Sequence, residues 1–472
     1  MWMGIDLGTQ SVRAVVAADD GAILGSGSAP LTGRRDGKRH EQLPADWWTA
    51  VREAVRGALG DGHRPRALAI CATSGTVLLT DDRGRELTPA VMYDDGRAPG
   101  RGTGRARLLL DAYGPGRITH QADLIAARLA GRPLPTDSSH ALKTGYDPER
   151  GEFADPGLPG LPEVVRPGTV IGEVSRAAGE ETGLPAGTAI VAGMTDGCAA
   201  QIASGSLTVG SWNSVLGTTL VLKGVTATPL RDPSGVVYSH LSPDGDWLPG
   251  GASNVGGGAL RTAFPDADPA ALDALAADRD SADRGAADGG AADRAAADRA
   301  AVAPVAYPLG ARGERFPFLA PDATAFVLGT PASDAEHWAA LLQGVALTER
   351  LCLDYLDLLG ATVDGPLTFT GGAVRSAYWT ALRAEILGRP IRVPEYSEPA
   401  LGMAVLAAYG AGAAPTLAAA AERMVRLSRT VHPARTGRFT GPYLTLVGEL
   451  ERRGWLPSET AAHARARTER DR

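Results

Sequence analysis

The sequence encodes an α/β protein built from two related halves. Three observations lead there. The chain has 472 residues, which at roughly 150 residues per domain means about two or three domains and a large buried core. Short apolar runs alternate with stretches of helical periodicity. A strand, a Gly-Thr turn and a returning strand occur twice, at Asp6-Leu7-Gly8-Thr9 and at Val215-Leu216-Gly217-Thr218, which reads as an internal duplication of a β-rich unit.

The elements follow in order. Residues 2–9 form a buried strand, Ser11 to Ala17 its return, and Ala22 to Ser26 a third strand after the Asp19-Asp20-Gly21 turn. Pro44-Ala45-Asp46 opens a helix over Trp47 to Leu59, with Trp48, Val51, Val55 and Leu59 on one face. Ala67 to Ala72 is a short strand parallel to the first. The second copy starts with a strand at 188–193, followed by a helix over Asp196 to Ala203, a strand at 210–216 and its return at 220–223. Residues 265–303 are an Ala/Asp/Arg-rich insertion with few large apolar residues, expected to be a solvated helical or disordered segment that is functionally inert. A long amphipathic helix spans His337 to Leu359. A strand ending at Thr370-Gly371-Gly372, a helix over 376–388 and an apolar helix over 398–412 complete the body. From Glu459 the chain is polar and is expected to fray.

Composition narrows the function. The net charge of −7 provides no basic field for nucleic acid. There is no apolar run of ~18 residues to cross a membrane. The opening Met1-Trp2-Met3-Gly4-Ile5-Asp6 carries an acid where a signal peptide needs apolar residues. Cys71, Cys198 and Cys352 lack metal-ligand spacing and fit free buried thiols in a reducing, cytoplasmic setting. Only three lysines (Lys38, Lys143, Lys223) and two asparagines (Asn213, Asn254) survive an Arg- and Ala-rich bias, so these positions can mark a need for that chemistry or chance.

Several groups can carry chemistry. A Gly-Thr turn after a strand presents backbone N–H groups and a hydroxyl, a cradle for phosphate; it also serves as an ordinary hairpin. Two of them could grip one triphosphate, with Arg13 adding a contact. Asp6 stands just before the first turn, and Asp196 stands where Gly193-Met194-Thr195 gives way to a helix. Phosphoryl transfer needs an acid to accept the acceptor proton and oxygen ligands for Mg²⁺; Asp196 could equally be a helix N-cap. Thr370-Gly371-Gly372-Ala373 could admit a planar ring or simply allow close packing. Gly250 to Gly258 is glycine-rich but follows no βαβ pattern, so a dinucleotide fingerprint is excluded. No P-loop and no G-x-S-x-G occur. His140 could meet a polyol or be a surface histidine.

Together these motifs resemble the FGGY carbohydrate kinases, from about residue 3 to about 450 outside the insertion. Gly4 to Thr9 with Arg13 is similar to the family's first phosphate motif, Gly193 to Asp196 to its catalytic-acid motif, Leu216 to Thr219 to its second phosphate motif and Thr370 to Trp379 to its adenosine motif. The resemblance implies two actin-like (ribonuclease H-like) ATPase domains flanking a central cleft. The expected division is 1–203 for the sugar-binding domain and 204–397 for the ATP-binding domain, with helices of 398–472 packing back across the cleft. Finer blocks are similar to the plant and cyanobacterial D-ribulose kinases. These are Thr73 to Leu79, Met92 to Asp95, Ala141 to Tyr146, Tyr238 to His240, Gly250 to Gly258 and Arg312 to Pro317.

The resemblance thus implies an ATP- and Mg²⁺-dependent kinase acting on the terminal hydroxyl of a ketopentose, D-ribulose first. D-xylulose or a ribitol-type polyol is the alternative, and a non-catalytic actin-like ATP or sugar sensor is the alternative from another class. Asp196 would be the general base, Asp6 would position Mg²⁺ and sugar, and Ser74 would hydrogen-bond the sugar. Thr9, Gln10, Arg13, Gly217, Thr218 and Thr219 would hold phosphates, and Gly371, Gly372 and Ser376 would face adenosine. Asp6 and Asp196 would share the metal. Ser376 and His140 each stand where the family usually has Asn. No nucleic-acid or membrane partner is implied, and oligomeric state is unreadable.

Overall fold

The computed structural model describes residues 1–60, 62–98, 102–286, 304–434 and 437–470. The principal elements, in chain order, begin with β1 (Trp2–Leu7), β2 (Ser11–Ala17), β3 (Ile23–Pro30), α1 (Pro44–Leu59), β4 (Ala67–Ala72), β5 (Val170–Glu173), β6 (Ala189–Val191) and α2 (Asp196–Ala203). Next come β7 (Trp212–Leu216), β8 (Leu220–Gly224), β9 (Trp247–Ser253), α3 (Gly257–Ala263), α4 (Pro269–Ala286), α5 (Asp334–Leu358), β10 (Leu367–Thr370), α6 (Ala377–Leu387) and β11 (Ile391–Pro394). The chain ends with α7 (Pro399–Gly410), β12 (Leu427–Val431), α8 (Thr440–Arg452) and α9 (Ser458–Arg470).

These elements form two compact units. Unit 1 comprises Met1–Leu207, His240–Leu248 and Glu395–Arg426; unit 2 comprises Thr208–Ser239, Pro249–Pro394 and Leu427–Arg472. The segment 398–472, expected as one block, is divided. Residues up to Arg426 belong with unit 1 and the rest with unit 2.

Unit 1 is built on a six-stranded sheet of order β5-β6-β4-β1-β2-β3. β1 pairs antiparallel with β2, setting Asp6 opposite Arg13, and parallel with β4, setting Asp6 opposite Cys71. Every residue of β1 is buried, as expected for a strand covered on both faces. α1 covers β2 and β3, burying Trp47, Val51, Val55 and Leu59 along its apolar stripe. α7 packs on β1 and β4. It is apolar all round, as a fully buried helix must be, and it comes so close that a Cβ on Gly4 would lie 1.8 Å from the Ala400 carbonyl oxygen.

Unit 2 repeats the plan. β7 pairs antiparallel with β8 and parallel with β10, in the order β9-β8-β7-β10-β11-β12. In both units a hairpin opens the sheet and a later strand joins its first arm in parallel, which is the duplication read from the sequence. The core of unit 2 holds Trp212, Phe369, Leu342 and Val345. A fully buried Arg383 is set among them. It forms a bidentate pair with Glu349 at 2.8 and 2.9 Å, donates to Ser214 Oγ, and lies 3.5 Å over the Phe369 ring.

Two expectations are corrected. The insertion is not an inert solvated segment throughout. Residues 287–303 lie outside the described residues, but 269–286 form α4, which buries Leu272 and Ala276 in the unit 2 core. Trp338 Nε1 donates to Asp273 (2.8 Å), and buried Asp280 accepts from Tyr378 Oη (3.0 Å) and pairs with Arg438. A helix with few large apolar residues thus docks through small alanines and buried hydrogen bonds. The tail from Glu459 does not fray; it forms α9, which buries Thr460, Ala461, Ala464 and Thr468.

Candidate active site

In unit 1 the chemistry gathers at the ends of β1 and β4 and at the start of α2. Asp6 is the penultimate residue of β1 and is 6% exposed. Burial and the nearby negative charge of Asp196 raise its pKa from 3.8 to about 6, against the opposing Cys71 thiol and Arg13 guanidinium. Its Oδ1 accepts from Cys71 Sγ at 3.5 Å, and its Oδ2 lies 3.9 Å from Arg13. The two carboxylates, 190 positions apart in the chain, therefore act on each other electrostatically within one unit.

Asp196 is the first residue of α2, and Thr195, not Asp196, occupies the cap position. The approach is tight: a Cβ on Gly193 would lie 1.8 Å from the Ile70 carbonyl oxygen, so glycine lets this turn press on β4. Ser139 Oγ holds the turn. It accepts from the Thr195 N–H at 3.1 Å and lies 3.0 Å from Thr195 Oγ1 and 3.1 Å from His240 Nδ1. Asp196 Oδ1 accepts from the Gly197 N–H at 2.7 Å.

Ser74 follows β4, and its buried hydroxyl has no hydrogen-bond partner. The Gln121 side-chain N–H group is likewise unpartnered, while Gln121 Oε1 accepts from the neighbouring Thr73 hydroxyl (2.6 Å) and N–H (3.2 Å). Buried polar atoms in native proteins are normally satisfied, so these atoms point to a polar ligand. His140, read as a polyol contact or a surface group, is fully buried. Its Nδ1 lies 2.6 Å from Asp137 Oδ2, and its Nε2 is unpartnered. Burial lowers its pKa, but the charge and hydrogen bond of Asp137 outweigh that and bring it to about 9.

The first Gly-Thr turn joins β1 to β2. Thr9 and Gln10 form it, and the Thr9 carbonyl accepts from Gln42 Nε2 at 2.7 Å. Arg13 reaches Glu398 at 3.0 Å as well as Asp6, so its charge is answered by carboxylates.

In unit 2 the second turn, Gly217-Thr218-Thr219, joins β7 to β8. It is closed by the Gly217 N–H donating to the Thr219 carbonyl at 3.1 Å. The turn opens on a cavity of about 660 Å³, whose walls include Gly217, Thr218, Gly372, Ser376, Phe264 and Trp338. The Gly217-Thr218 turn and the Gly372–Ser376 stretch therefore border one cavity, large enough for a nucleotide. Thr219 lies in the turn, and Gly371 abuts the end of β7, where its Cβ would come 2.6 Å from the Leu216 carbonyl oxygen. Ser376 caps α6, its Oγ accepting from the Trp379 N–H at 2.9 Å. Missed by sequence reasoning were the walls supplied by Phe264, Asp273 and Trp338; Asp273 sits within the low-complexity insertion, while Phe264 and Trp338 lie outside it and carry no signal beyond ordinary apolar packing.

Among the described residues no group of three or more His, Cys, Asp or Glu side chains could hold a metal by itself, and no helix is long and apolar enough to cross a membrane.

Comparison with known proteins accords with this arrangement. The chain is 28% identical over 453 residues to the xylulose kinase of Streptomyces rubiginosus, covering 86% of this chain and 87% of that protein. Its fold matches the crystal structure of xylulose kinase from Rhodospirillum rubrum with a TM-score of 0.80 at 25% identity, over 96% of this chain and 99% of that one. The Brucella ovis xylulose kinase structure matches in fold with a TM-score of 0.82 at 22% identity, over 96% and 99%. Residues 1–102 match the N-terminal domain and residues 212–411 the C-terminal domain of one family. With more than half of its length so matched, and with the duplicated actin-like α/β fold in both units, the chain belongs to the FGGY family of carbohydrate kinases, enzymes that phosphorylate sugars at the expense of ATP.

Proposed function

We propose that the protein transfers the γ-phosphoryl group of ATP to the terminal hydroxyl of a ketopentose. The observation that carries this reading is the interaction of Asp6 with Asp196 in unit 1, with the buried, unpartnered Ser74 hydroxyl two residues past the end of β4. Asp196 takes the proton of the acceptor hydroxyl. The new O–P bond forms as the bond from γ-phosphorus to the bridging oxygen breaks, and ADP leaves. Ser74 hydrogen-bonds the sugar, and Asp6 orients it. The Gly217–Thr219 turn holds the phosphates, with Thr9, Gln10 and Arg13 completing their binding; Gly371, Gly372 and Ser376 face adenosine.

Asp6 and Asp196 suit Mg²⁺ as a donor set: two carboxylates that repel each other, one of them held at a raised pKa. Mg²⁺ is commonly held by one or two carboxylates together with phosphate oxygens and water. When bound, it would offset phosphate charge.

Two sugars have specific support. The relatives in Streptomyces rubiginosus and Rhodospirillum rubrum are named for xylulose. The blocks around Thr73, Ala141 and Arg312 are similar to D-ribulose kinases. Nothing in the comparisons favours a non-catalytic sensor. An ADP-release assay over D-ribulose, D-xylulose, ribitol and gluconate tests the reading: turnover with either ketopentose upholds it, and turnover confined to ribitol or gluconate overturns it.

A further inference from the structure

The glycine-rich segment Gly250 to Gly258, expected as a loop, is divided between the end of β9, a short connection and the start of α3; it plays no part in the reading above, yet its Gly257 lines the cavity. Its last three glycines run into α3 directly beneath the second Gly-Thr turn. The Gly257 N–H donates to the Gly217 carbonyl at 2.9 Å, and the Gly258 N–H to the Thr218 carbonyl at 3.0 Å. No side chain fits between. A Cβ on Gly256 would lie 2.6 Å from the Thr218 carbonyl oxygen, and one on Gly257 would lie 2.8 Å from that of Gly217. Glycine therefore brings the backbone of α3 into direct contact with the turn.

One turn of helix further on, that contact delivers a cation. Arg261 Nη2 donates to Thr218 Oγ1 at 2.9 Å, and Arg261 lines the same cavity. The side chain is exposed, and among the described residues no carboxylate lies within ion-pair distance of it. Arg375, the other arginine of the cavity, lies at the adenosine motif, its Nη2 3.3 Å from the place a Gly372 Cβ would take. A guanidinium carries five N–H donors in a planar fork suited to bidentate phosphate binding. The contact with Thr218 uses one nitrogen and holds the fork at the turn.

We infer that Arg261 is a direct ligand of the nucleotide polyphosphate, placed there by the glycine-rich segment. The inference rests on the proposed ATP-binding role of this cavity. It gives the segment a function that its spacing alone did not: the glycines allow the approach that puts a charge at the turn.

The test is calorimetric titration of the full-length protein, wild type, Arg261→Lys and Arg261→Gln, with ATP, ADP and adenosine. A charge-assisted phosphate contact predicts that Arg261→Gln weakens ATP and ADP binding about tenfold or more. Adenosine binding stays within about twofold, and Arg261→Lys falls between. Retained adenosine binding also shows that the variant is folded. Loss of adenosine binding in parallel with ATP would make Arg261 a wall of the cavity and overturn the inference, as would unchanged ATP binding. If the wild-type protein bound none of the three, the nucleotide reading of the cavity would fall and this inference with it; if it bound ATP and Arg261→Gln bound it equally well, only Arg261's role would fall.

Discussion

Asp6 carries a cost that its role explains. Its carboxyl is raised from 3.8 to about 6 by burial and by Asp196. Because the folded-state pKa lies above the unfolded one, folding favours the protonated form. The resulting penalty is absent below pH 4, grows as pH rises and is complete above about 6. Asp6→Asn should therefore stabilise the protein at pH 7.5 by up to about 3 kcal/mol and leave stability at pH 3.5 unchanged, as read by denaturant unfolding. The wild type should show an acid limb near pH 6 in kcat/KM as Asp6 protonates, and the residual turnover of the same variant should lack it. Asp196→Ala should reduce turnover by roughly 10²–10⁴-fold while ATP binding persists; near-wild-type turnover would remove the mechanism. Both acids were legible because each stands beside glycines at a change of local structure, Asp6 near the end of an apolar strand and Asp196 where a strand gives way to a helix. The two asparagines were legible only as oddities. Asn213 accepts from the Thr370 hydroxyl at 3.0 Å, and Asn254 donates to the Gly313 carbonyl at 2.9 Å, so both serve internal hydrogen bonding. The His140–Asp137 contact was not legible, because three-residue spacing does not reveal which side chains turn inward.

Among the elements, the two hairpins could be read in the sequence because a short, largely apolar run, a Gly-Thr turn and a second apolar run admit few other conformations. α4 could not. Its alanines, aspartates and arginines look the same whether solvated or docked, and only the partners decide: Trp338 for Asp273, and Tyr378 with Arg438 for Asp280. Asp280→Ala should leave the buried Arg438 with Glu385 as its remaining carboxylate, remove the acceptor of the Tyr378 hydroxyl and cost about 2 kcal/mol, lowering the thermal midpoint measured by circular dichroism. A surface position would cost almost nothing. α9 escaped for a related reason. Its buried face is made of Ala461, Ala464 and two threonines, too small to register as an apolar stripe. The block Arg312 to Pro317 works through one buried residue. Glu314 accepts from Ser253 Oγ (2.8 Å), Tyr307 Oη (2.7 Å) and the Asn254 N–H (2.8 Å), bracing the glycine-rich segment with a carboxylate satisfied by hydrogen bonds.

Across the molecule, each unit has its own hydrophobic core. Scanning calorimetry should resolve two transitions. ADP should raise the one belonging to unit 2, by mass action on the folded state that binds it; equal shifts of both would show that the units melt as one. The duplication was visible in the sequence, whereas the interleaving of the chain was not, because local patterns carry no record of which distant segment completes a sheet. Unit 1 is assembled from three separate stretches, the last ending at Arg426, and α7 in that stretch covers the first strand. During synthesis β1 must therefore wait, with one face open, until α7 has emerged far downstream of it. Truncations that remove α7 would strip β1 of that cover.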